Sequence, residues 1–524
     1  MNITEILQRR AELTPEAIAI VDHFGGRRRQ ISYRELDQAV GRTAALLRKS
    51  GLRVGDTVLL FHPMSIELYT SLAAVLRGGL TAMFVDPSAG RGYIDRCCEL
   101  VPPEALIASS KAHALRLTSP ALRRIPAKWS IGWPVPWTQR LELASRCADD
   151  SWVHTCTPET PALVSFTSGS TGAPKTTVRT HGFLLAQHAA IEKNLTLKGG
   201  EIELVTMPIF VLANLASGVT SIIANADLRH PARINAEPVL HQIQRDRATR
   251  ITASPAFFDR IVDRCGASDA RLESVDKIFT GGGPVPPRLL ERLSEIAPQA
   301  EIMVVYGSTE AEPISTVTVD QMTPRDRIAM NEGKGLLLGR PVDALNVRII
   351  GDAWGRALEP MDAERFDAIC RSPGQTGEIV VSGRHVLSGY VDPQTESENK
   401  FRVGDVVWHR TGDAGYFDRD DRLWLLGRCA ARVDDRHGEL YPLGVEQAAM
   451  RHACIGQAAL VSHRGQRVLA VTLRDKHAKP DLPFLLKSLA LANVDTIRIL
   501  KRLPVDQRHN SKIDYQALRQ CLEQ

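Results

Sequence analysis

The chain has 524 residues, of which 44% are hydrophobic and 24% are charged, and its formal net charge is +5. This length exceeds what one hydrophobic core usually supports, so two or more domains are expected. The composition is ordinary for a globular protein, and so small a positive charge does not indicate nucleic-acid binding. No apolar run approaches the ~20 residues of a transmembrane helix, and the first residues lack a signal-peptide pattern. A cytoplasmic protein without a transmembrane segment is therefore predicted.

The first hundred residues alternate between helical and strand-like patterns. Residues 33–47 place Leu36, Val40, Ala44 and Leu47 on one helical face, and 66–76 form a second amphipathic helix. Apolar stretches at 57–61 and 81–85 predict buried strands. The region 202–305 repeats this alternation, which predicts an α/β fold with a mostly parallel sheet covered by helices.

The pattern changes after about Gly335. Short strands at 347–350 and 378–381 lie among glycines and predict a small β subdomain. Residues 351–375 are long and polar for a hairpin connection, so we interpret them as a surface insertion. A compact tail of about 95 residues with its own helices and strands follows Arg428.

Residues 166–175 read F-T-S-G-S-T-G-A-P-K and indicate a phosphate-binding loop. Glycines let backbone N–H groups turn toward an anion, hydroxyls add donors, and the lysine adds positive charge. The residues of this loop are Thr167, Ser168, Gly169, Ser170, Thr171, Gly172 and Lys175. A solvated Ser/Gly turn is the alternative. The P-loop of nucleotide triphosphatases is excluded, because the lysine here follows a proline and a strand-like stretch comes next.

Three further motifs follow in order. They are Y-G-S-T-E at 306–310, R-T-G-D at 410–413 with L-G-R at 426–428, and N-S-K-I-D at 510–514. With the loop, they resemble the signatures of adenylate-forming enzymes, which include acyl-CoA synthetases, nonribosomal peptide adenylation domains and luciferase-like proteins. Four motifs in order over nearly the whole chain identify it as a member of this family.

The resemblance implies a fold and a reaction. The fold is a large N-terminal domain, residues 1–428, of αβα-layered, mostly parallel sheets, with the β subdomain at 334–427. A small α+β lid domain, residues 429–524, follows a hinge just past Arg428. The implied reaction is activation of a carboxylic acid by ATP to an acyl-AMP, with release of pyrophosphate. Fixed charge and positioning would supply most of the rate.

The resemblance also assigns roles to single residues. Tyr306 would lie against adenine, Thr309 would touch the α-phosphate, and Glu310 would hold Mg²⁺, for which one carboxylate is adequate beside phosphates. Asp413 would bind both ribose hydroxyls, since a carboxylate accepts two hydrogen bonds. The other implied nucleotide and catalytic residues are Gly307, Ser308, Arg428 and Lys512. An exposed turn carboxylate at 310 and a solvated lysine at 512 are the alternatives.

Three glycines, Gly281, Gly282 and Gly283, follow an apolar strand. Glycines at a strand end allow a flat ligand to approach the backbone. The family uses this position beside adenine, and a plain tight turn is the alternative.

The acid-binding segment is the apolar stretch 207–218. Val211 stands where many aryl- and acyl-CoA synthetases have histidine, and no acidic residue is present for an amino-acid ammonium group. We predict that Phe210, Val211 and Asn214 line a pocket for a long or bulky apolar acid, with core packing as the alternative. His181 and His188, seven residues apart, have the wrong spacing for a metal pair and are interpreted as helix-surface residues.

The sequence leaves the acyl acceptor open. The leading hypothesis is transfer to a thiol, either CoA or an acyl or peptidyl carrier protein. However, segment 432–442 is one residue longer than usual and lacks a glycine pair. In CoA synthetases this segment approaches the thiol after adenylation, so its alteration bears on the second step.

Residues 84–91 and 504–512 further resemble the branch that contains olefin-pathway β-lactone synthetases as well as fatty acyl-CoA synthetases. The alternative function is therefore closure of a β-hydroxyacyl adenylate to a lactone without CoA. A degenerate, non-enzymatic nucleotide-binding homologue is disfavoured, because Lys175, Glu310 and Lys512 are present together with Asp413 and Arg428.

Overall fold

The computed structural model describes residues 1–86, 90–168, 174–475, 479–504 and 513–523, apart from the side chains of Thr167, Ser168 and Leu491. Lys512 and loop residues Gly169, Ser170, Thr171 and Gly172 lie outside the described residues. The chain divides into two compact units. Unit 1 comprises 1–226, 237–252 and 384–396, and unit 2 comprises 227–236, 253–383 and 397–524. The predicted domain boundary at 428 stays a prediction.

Unit 1 contains the alternation of helices and strands that the sequence predicts. Its helices are α1 (Thr4–Leu13), α2 (Tyr33–Lys49), α3 (Ile66–Arg77), α4 (Arg91–Leu100), α5 (Pro120–Arg124), α6 (His181–Asn194), α7 (Pro208–Ser217) and α8 (Ala236–Arg245). Its strands are β1 (Ile18–Phe24), β2 (Arg27–Ser32), β3 (Thr57–Phe61), β4 (Thr81–Phe84), β5 (Ala105–Ser109), β6 (Ala127–Ile131), β7 (Gln139–Arg140), β8 (Pro161–Ser168), β9 (Pro174–Thr180), β10 (Ile202–Val205), β11 (Thr220–Ile223) and β12 (Arg250–Ala253).

These strands form two sets, ordered β12-β10-β11-β1-β2 and β7-β6-β5-β3-β4-β8-β9. Pairing is parallel except for the terminal hairpins β1–β2 and β8–β9. Helix α2 shows why the sequence pattern works. Ser32 and Glu35 form a capping box at its start, and the predicted face of Leu36, Val40 and Leu47 is buried.

Unit 2 combines a parallel pair with a long antiparallel sheet. Its strands are β13 (Lys277–Gly281), β14 (Glu301–Ser308), β15 (Ala311–Thr318), β16 (Leu336–Pro341), β17 (Leu345–Ile350), β18 (Gly377–Gly383), β19 (Lys400–Val403), β20 (Val406–Phe417), β21 (Leu423–Arg428), β22 (Val433–Asp435), β23 (Gly438–Leu440), β24 (Ile455–His463), β25 (Gln466–Leu473) and β26 (Thr496–Ile499). The order is β17-β18-β20-β21-β16-β15-β14-β13, with β19 beside β20 and with β24-β25-β26 and β22-β23 as separate sheets.

The helices of unit 2 are α9 (Pro255–Ser268), α10 (Pro287–Ile296), α11 (Pro324–Asn331), α12 (Ala363–Ile369), α14 (Leu443–Met450), α15 (Leu482–Ser488) and α16 (Tyr515–Cys521), while α13 (Pro393–Asn399) carries the chain from unit 1 into unit 2. The predicted fold class, α/β with a smaller C-terminal α+β region, is confirmed. Among the described helices, none combines the length and the apolar composition needed to cross a bilayer.

The interpretation of His181 and His188 as helix-surface residues is wrong. His181 is fully buried and accepts a hydrogen bond at Nδ1 from the Ile3 amide at 3.2 Å. His188 Nε2 lies 3.0 Å from the Ser217 hydroxyl of α7. Burial lowers the pKa of both imidazoles, to about 4 for His181. The His188 side chain is 14% exposed, so both imidazoles face neighbouring residues more than solvent.

Candidate active site

The residues predicted to bind the nucleoside converge in unit 2. The Tyr306 hydroxyl, near the end of β14, donates to Asp413 Oδ2 on β20 at 2.8 Å. Arg428, the last residue of β21, pairs with Asp413 through Nε–Oδ1 at 3.2 Å. Register explains the second contact, because Asp413 and Arg428 are direct cross-strand partners. One carboxylate therefore joins two motifs that are more than a hundred residues apart.

The electrostatics of this cluster follow from its composition. The negative charge of Asp413 is the largest cause that raises the pKa of Arg428, and Glu310 adds to it. Burial, with Asp413 next, raises the pKa of Tyr306 well above its ordinary value, so the phenol remains a proton donor. The side chain of Asp413 is 14% exposed and that of Arg428 is 56% exposed. The cluster thus has one accessible side toward which a polar ligand could bind.

Thr309 and Glu310 lie at the tip of a tight hairpin. Ser308 and Ala311 are paired across β14 and β15, which leaves these two residues as the turn. The Ser308 hydroxyl accepts a hydrogen bond from the Glu310 amide at 3.3 Å. Gly307 is required by packing, since a Cβ there would lie 3.0 Å from the Ala311 carbonyl oxygen. The predicted metal-binding carboxylate is therefore presented by a fixed turn beside Tyr306.

The three glycines after β13 differ in what requires them. A Cβ on Gly281 would lie 2.2 Å from the Val305 carbonyl oxygen, and Gly282 has φ +75°. Both residues are therefore demanded by the local backbone. A Cβ on Gly283 would meet nothing within 4 Å, so an open surface adjoins this position. Gly283 remains compatible with the predicted approach of adenine.

Unit 1 provides the base of the predicted phosphate loop. Strands β8 and β9 pair antiparallel with Ser168 opposite Pro174 and Thr167 opposite Lys175. Lys175 therefore lies on the second strand, immediately after the loop that spans 169–173. The predicted strand after Pro174, rather than the helix of a nucleotide-triphosphatase P-loop, is confirmed.

The predicted acid-binding residues lie on α7, which begins after the carboxyl end of β10. Phe210, Val211 and Asn214 are all buried. The Asn214 amide Nδ2 donates to the Ser221 hydroxyl at 3.1 Å, and both residues are fully buried. Asn214 thus faces a buried polar network under the helix. The pocket assignment of all three residues stays a prediction.

Sequence reasoning missed a group of residues around the ribose motif. The Trp354 ring lies against Gly412, where a Cβ would be 2.7 Å from the indole, and Arg410 lies over the same ring at 5.4 Å. Asp352 accepts from the Tyr441 hydroxyl at 2.8 Å and pairs with Arg432 at 3.3 Å. The segment 351–375 was interpreted as a surface insertion, yet its first residues pack on the motif that contains Asp413. The sequence feature that could have indicated this packing is Trp354, a large aromatic residue within a polar stretch.

Comparisons with known proteins bear on the family and the fold of this chain. Residues 7–391 match the family described as AMP-binding enzyme. The chain is 32% identical to an olefin beta-lactone synthetase of Stenotrophomonas maltophilia, over 93% of this chain and 90% of that protein. It is 25% identical to a 2-succinylbenzoate–CoA ligase of Bacillus licheniformis, over 87% of this chain and 85% of that protein. The structure is also similar to that of the amide bond synthetase McbA from Marinactinospora thermotolerans.

That similarity has a TM-score of 0.81 at 22% identity and covers 99% of both chains, so it bears on the fold. The family match extends over most of the chain and includes the segment of the predicted phosphate loop and Tyr306, whereas Asp413 and Arg428 lie beyond its last residue. This protein belongs to the AMP-binding enzyme family.

Proposed function

We propose that this acyl-adenylate-forming ligase activates a 3-hydroxy fatty acid with ATP and closes the acyl adenylate to a β-lactone. The adenylation is the reaction of its family, and the predicted ATP-dependent activation of a carboxylic acid is confirmed. The lactone-forming step is the finer proposal. The observation that carries it is the 32% identity to an olefin beta-lactone synthetase over almost the whole chain.

The two steps balance without a further reactant. In the first step, a carboxylate oxygen of the acid attacks the α-phosphorus of ATP, and pyrophosphate leaves. In the second step, the β-hydroxyl oxygen attacks the acyl carbonyl carbon, the bond from that carbon to the phosphate oxygen breaks, and AMP leaves. The hydroxyl proton is released, so the products are lactone, AMP and pyrophosphate.

The cluster in unit 2 suits the nucleoside part of ATP. Asp413 is already oriented by Tyr306 and Arg428, so its carboxylate would accept the ribose hydroxyls without reorganising. Among the described residues, no group of three or more His, Cys, Asp or Glu side chains could cage a metal. A Mg²⁺ ion that bridges phosphates needs only one or two protein carboxylates, and Glu310 at the hairpin tip is suited to be one. Such an ion would neutralise phosphate charge.

The acid would be held by α7. Its sequence from Pro208 to Ser217 is apolar, and Phe210 and Val211 lie in its first turns. A helix of this composition offers dispersion contacts and no charge, which favours an alkyl chain over an amino acid. If Val211→His leaves the preference among acids unchanged, this segment does not line the pocket.

The altered segment after Arg428 is compatible with an acceptor other than CoA. Strands β22 and β23 form a hairpin in the altered segment. Arg467 holds Asp435 through two contacts of 2.8 and 2.9 Å, and both side chains are almost fully buried. Arg436 at the turn pairs with Asp495 at 2.7 Å. The segment that approaches the thiol in CoA synthetases is thus fastened within its own region by ion pairs.

Transfer to CoA or a carrier protein remains the second candidate, favoured by the CoA-ligase relative. The test is pyrophosphate release with matched fatty and 3-hydroxy fatty acids, with and without CoA, and with products identified by mass spectrometry. The proposal predicts AMP and a product lacking one water relative to the hydroxy acid, at a rate that CoA does not change. Formation of an acyl-CoA that requires CoA would contradict it.

Two variants test the adenylation step. Lys512→Ala should abolish pyrophosphate release while ATP binding is retained, because the lysine would neutralise charge only during adenylation. Glu310→Gln should raise the Mg²⁺ concentration that the reaction requires. Unchanged pyrophosphate release from Lys512→Ala would refute the assignment of that lysine without bearing on the acceptor.

A further inference from the structure

Two tryptophans in unit 1 are exposed to an unusual degree. The side chains of Trp133 and Trp137 are 82% and 89% exposed, and that of Leu117 in the same unit is 82% exposed. Tryptophan is usually well buried, so two such side chains on one short loop require an explanation. The loop from Gly132 to Thr138 reads G-W-P-V-P-W-T and carries no charged side chain. We call it the tryptophan loop.

The tryptophan loop is held from inside by hydrogen bonds to its backbone. The Ser110 hydroxyl donates to the carbonyl oxygens of Ile131 and Trp133 at 3.1 and 2.8 Å. Arg116 Nη1 donates to the Pro136 carbonyl at 3.3 Å, and Glu142 accepts from the Gly132 amide at 2.8 Å. The loop is thus a fixed structure that presents its apolar side chains outward.

The backbone conformation supports the same conclusion. Trp137 has φ +57°, a left-handed conformation that is rare for a bulky residue and costs of order 1 kcal/mol. Pro134 and Pro136 between the tryptophans restrict the chain further. This segment is therefore strained and rigid, although its tryptophan side chains are exposed to solvent rather than packed in the protein interior.

Basic residues outnumber acidic ones in this part of unit 1. Residues 91–146 contain nine Lys or Arg and four Asp or Glu, a net charge of +5 that equals the net charge of the whole chain. Lys111 follows β5 and Arg116 touches the tryptophan loop, while Arg140 lies just beyond it. An anionic partner would therefore be attracted to this part of unit 1.

The topology relates the tryptophan loop to the predicted phosphate loop. Strands β6, β5, β3, β4 and β8 are parallel neighbours, so their carboxyl ends lie on one edge of the sheet. The tryptophan loop leaves the carboxyl end of β6, and the phosphate loop leaves that of β8. Four strand spacings of about 4.8 Å separate these strands, which is roughly 19 Å.

We propose that the tryptophan loop, with Leu117, Lys111 and Arg116, docks the enzyme on an anionic membrane surface. Indole rings prefer the interfacial region of a bilayer, where the apolar ring is covered and the N–H stays hydrated. Neighbouring Lys and Arg residues add attraction to anionic lipids. This combination of protruding indoles and cations fits a headgroup layer. Docking would place the sheet edge that carries the predicted phosphate loop near the lipid phase in which a fatty acid dissolves. The membrane binding itself does not depend on the proposed reaction.

The test is sedimentation of the full-length protein with phosphatidylcholine vesicles and with vesicles of equal parts phosphatidylcholine and phosphatidylglycerol. Wild type should bind the anionic vesicles, with tryptophan fluorescence shifted to the blue. The double variant Trp133→Ser/Trp137→Ser should lose at least tenfold in partitioning. Each of Lys111→Gln and Arg116→Gln should lose about fivefold, as one cation near an anionic surface contributes. Added salt should weaken the wild type.

Phe484→Ser is the matched control, because Phe484 is an exposed aromatic residue of α15 at 58% exposure. It should bind vesicles like wild type. ATP-dependent pyrophosphate release with a water-soluble acid would establish that the double variant is folded. Equal vesicle binding by wild type and the double variant would overturn the proposal. So would self-association, or retention of an acidic protein, that requires the tryptophans while vesicles are not bound.

Discussion

The contact between Tyr306 and Asp413 can be tested by removing one atom. Tyr306→Phe deletes the hydroxyl that donates to Asp413 Oδ2 at 2.8 Å and keeps the ring that is predicted to lie against adenine. Asp413 keeps its second partner, since Arg428 contacts the other oxygen at 3.2 Å. The substitution therefore separates orientation of the carboxylate from stacking of the base.

The magnitude follows from the geometry. A hydrogen bond to a charged group contributes about 1.5–3 kcal/mol. The carboxylate is partly accessible, so water can replace the lost donor, and the lower end of that range applies. A loss of about 1.4 kcal/mol corresponds to a tenfold change in an equilibrium constant. We expect KM for ATP to rise about tenfold with little change in kcat, because the nucleoside contact is similar in ground and transition states.

The assay is pyrophosphate release at varied ATP, with AMP binding measured by calorimetry as a readout that does not depend on turnover. Tyr416→Phe is the matched control, since its hydroxyl donates to the Lys334 carbonyl at 3.2 Å and its ring stacks on Trp424. The control should leave KM for ATP unchanged. If Tyr306→Phe also leaves both KM and AMP affinity unchanged, the phenol does not orient the ribose-binding carboxylate.

Three further predictions concern stability and the contacts of the segment after Arg428. Burial raises the pKa of Glu446 to about 7 from 4.5, so the folded state binds this proton more tightly and stability falls as pH rises between those values. Glu446→Gln should remove up to about 1.4 kcal/mol per pH unit of that slope in thermal unfolding. Glu378→Ala leaves the buried charge of Arg410 unpaired and should cost about 3–5 kcal/mol, seen as a lower Tm. Asp352→Ala should accelerate amide exchange around Tyr441 about tenfold, as expected for a lost hydrogen bond.

Control variants exist for two of these changes. Glu332→Ala removes an exposed pair with Lys334 and should leave the Tm nearly unchanged. Tyr441→Phe should reproduce part of the exchange effect of Asp352→Ala, because it removes the same hydrogen bond and keeps the Arg432 contact. A slope in Glu446→Gln as steep as that of wild type would mean that other groups control the acid side of the stability curve.

The cluster of residues predicted to bind the nucleoside could be anticipated from the sequence because each of them lies in a short local motif. Tyr306, Asp413 and Arg428 occur in short motifs whose residue types suit a nucleotide, and the structure brings these three together. The motifs alone do not predict the contact between Asp413 and Arg428. Strand register explains it, because the two residues are cross-strand partners. Gly281 shows the limit of such reasoning. The sequence suggests that this position is glycine so that a ligand can approach the backbone. In the structure, the Val305 carbonyl oxygen alone is close enough to exclude a side chain there.

What the sequence did not predict depends on long-range packing. The spacing of His181 and His188 argues against a metal pair and favours a position on the helix surface. The tertiary fold instead buries His181 against the Ile3 amide and places Ser217 beside His188. Trp133 and Trp137 belong to no motif of the family, and composition alone suggests that they are core residues. Their exposure depends on the anchoring of the tryptophan loop, which no local pattern encodes.

The acceptor is the least predictable part because no local motif of the sequence specifies it. Asp352 lies in a stretch without a motif, yet it contacts Tyr441 and Arg432 of the segment after Arg428. Trp354, two residues later, packs on Gly412 beside Asp413, the carboxylate predicted to bind ribose. A movement of the segment after Arg428 must therefore break contacts to residues that also pack against the nucleotide motif. An enzyme that transfers its acyl group to an internal hydroxyl has less need of that movement than one that must admit a thiol.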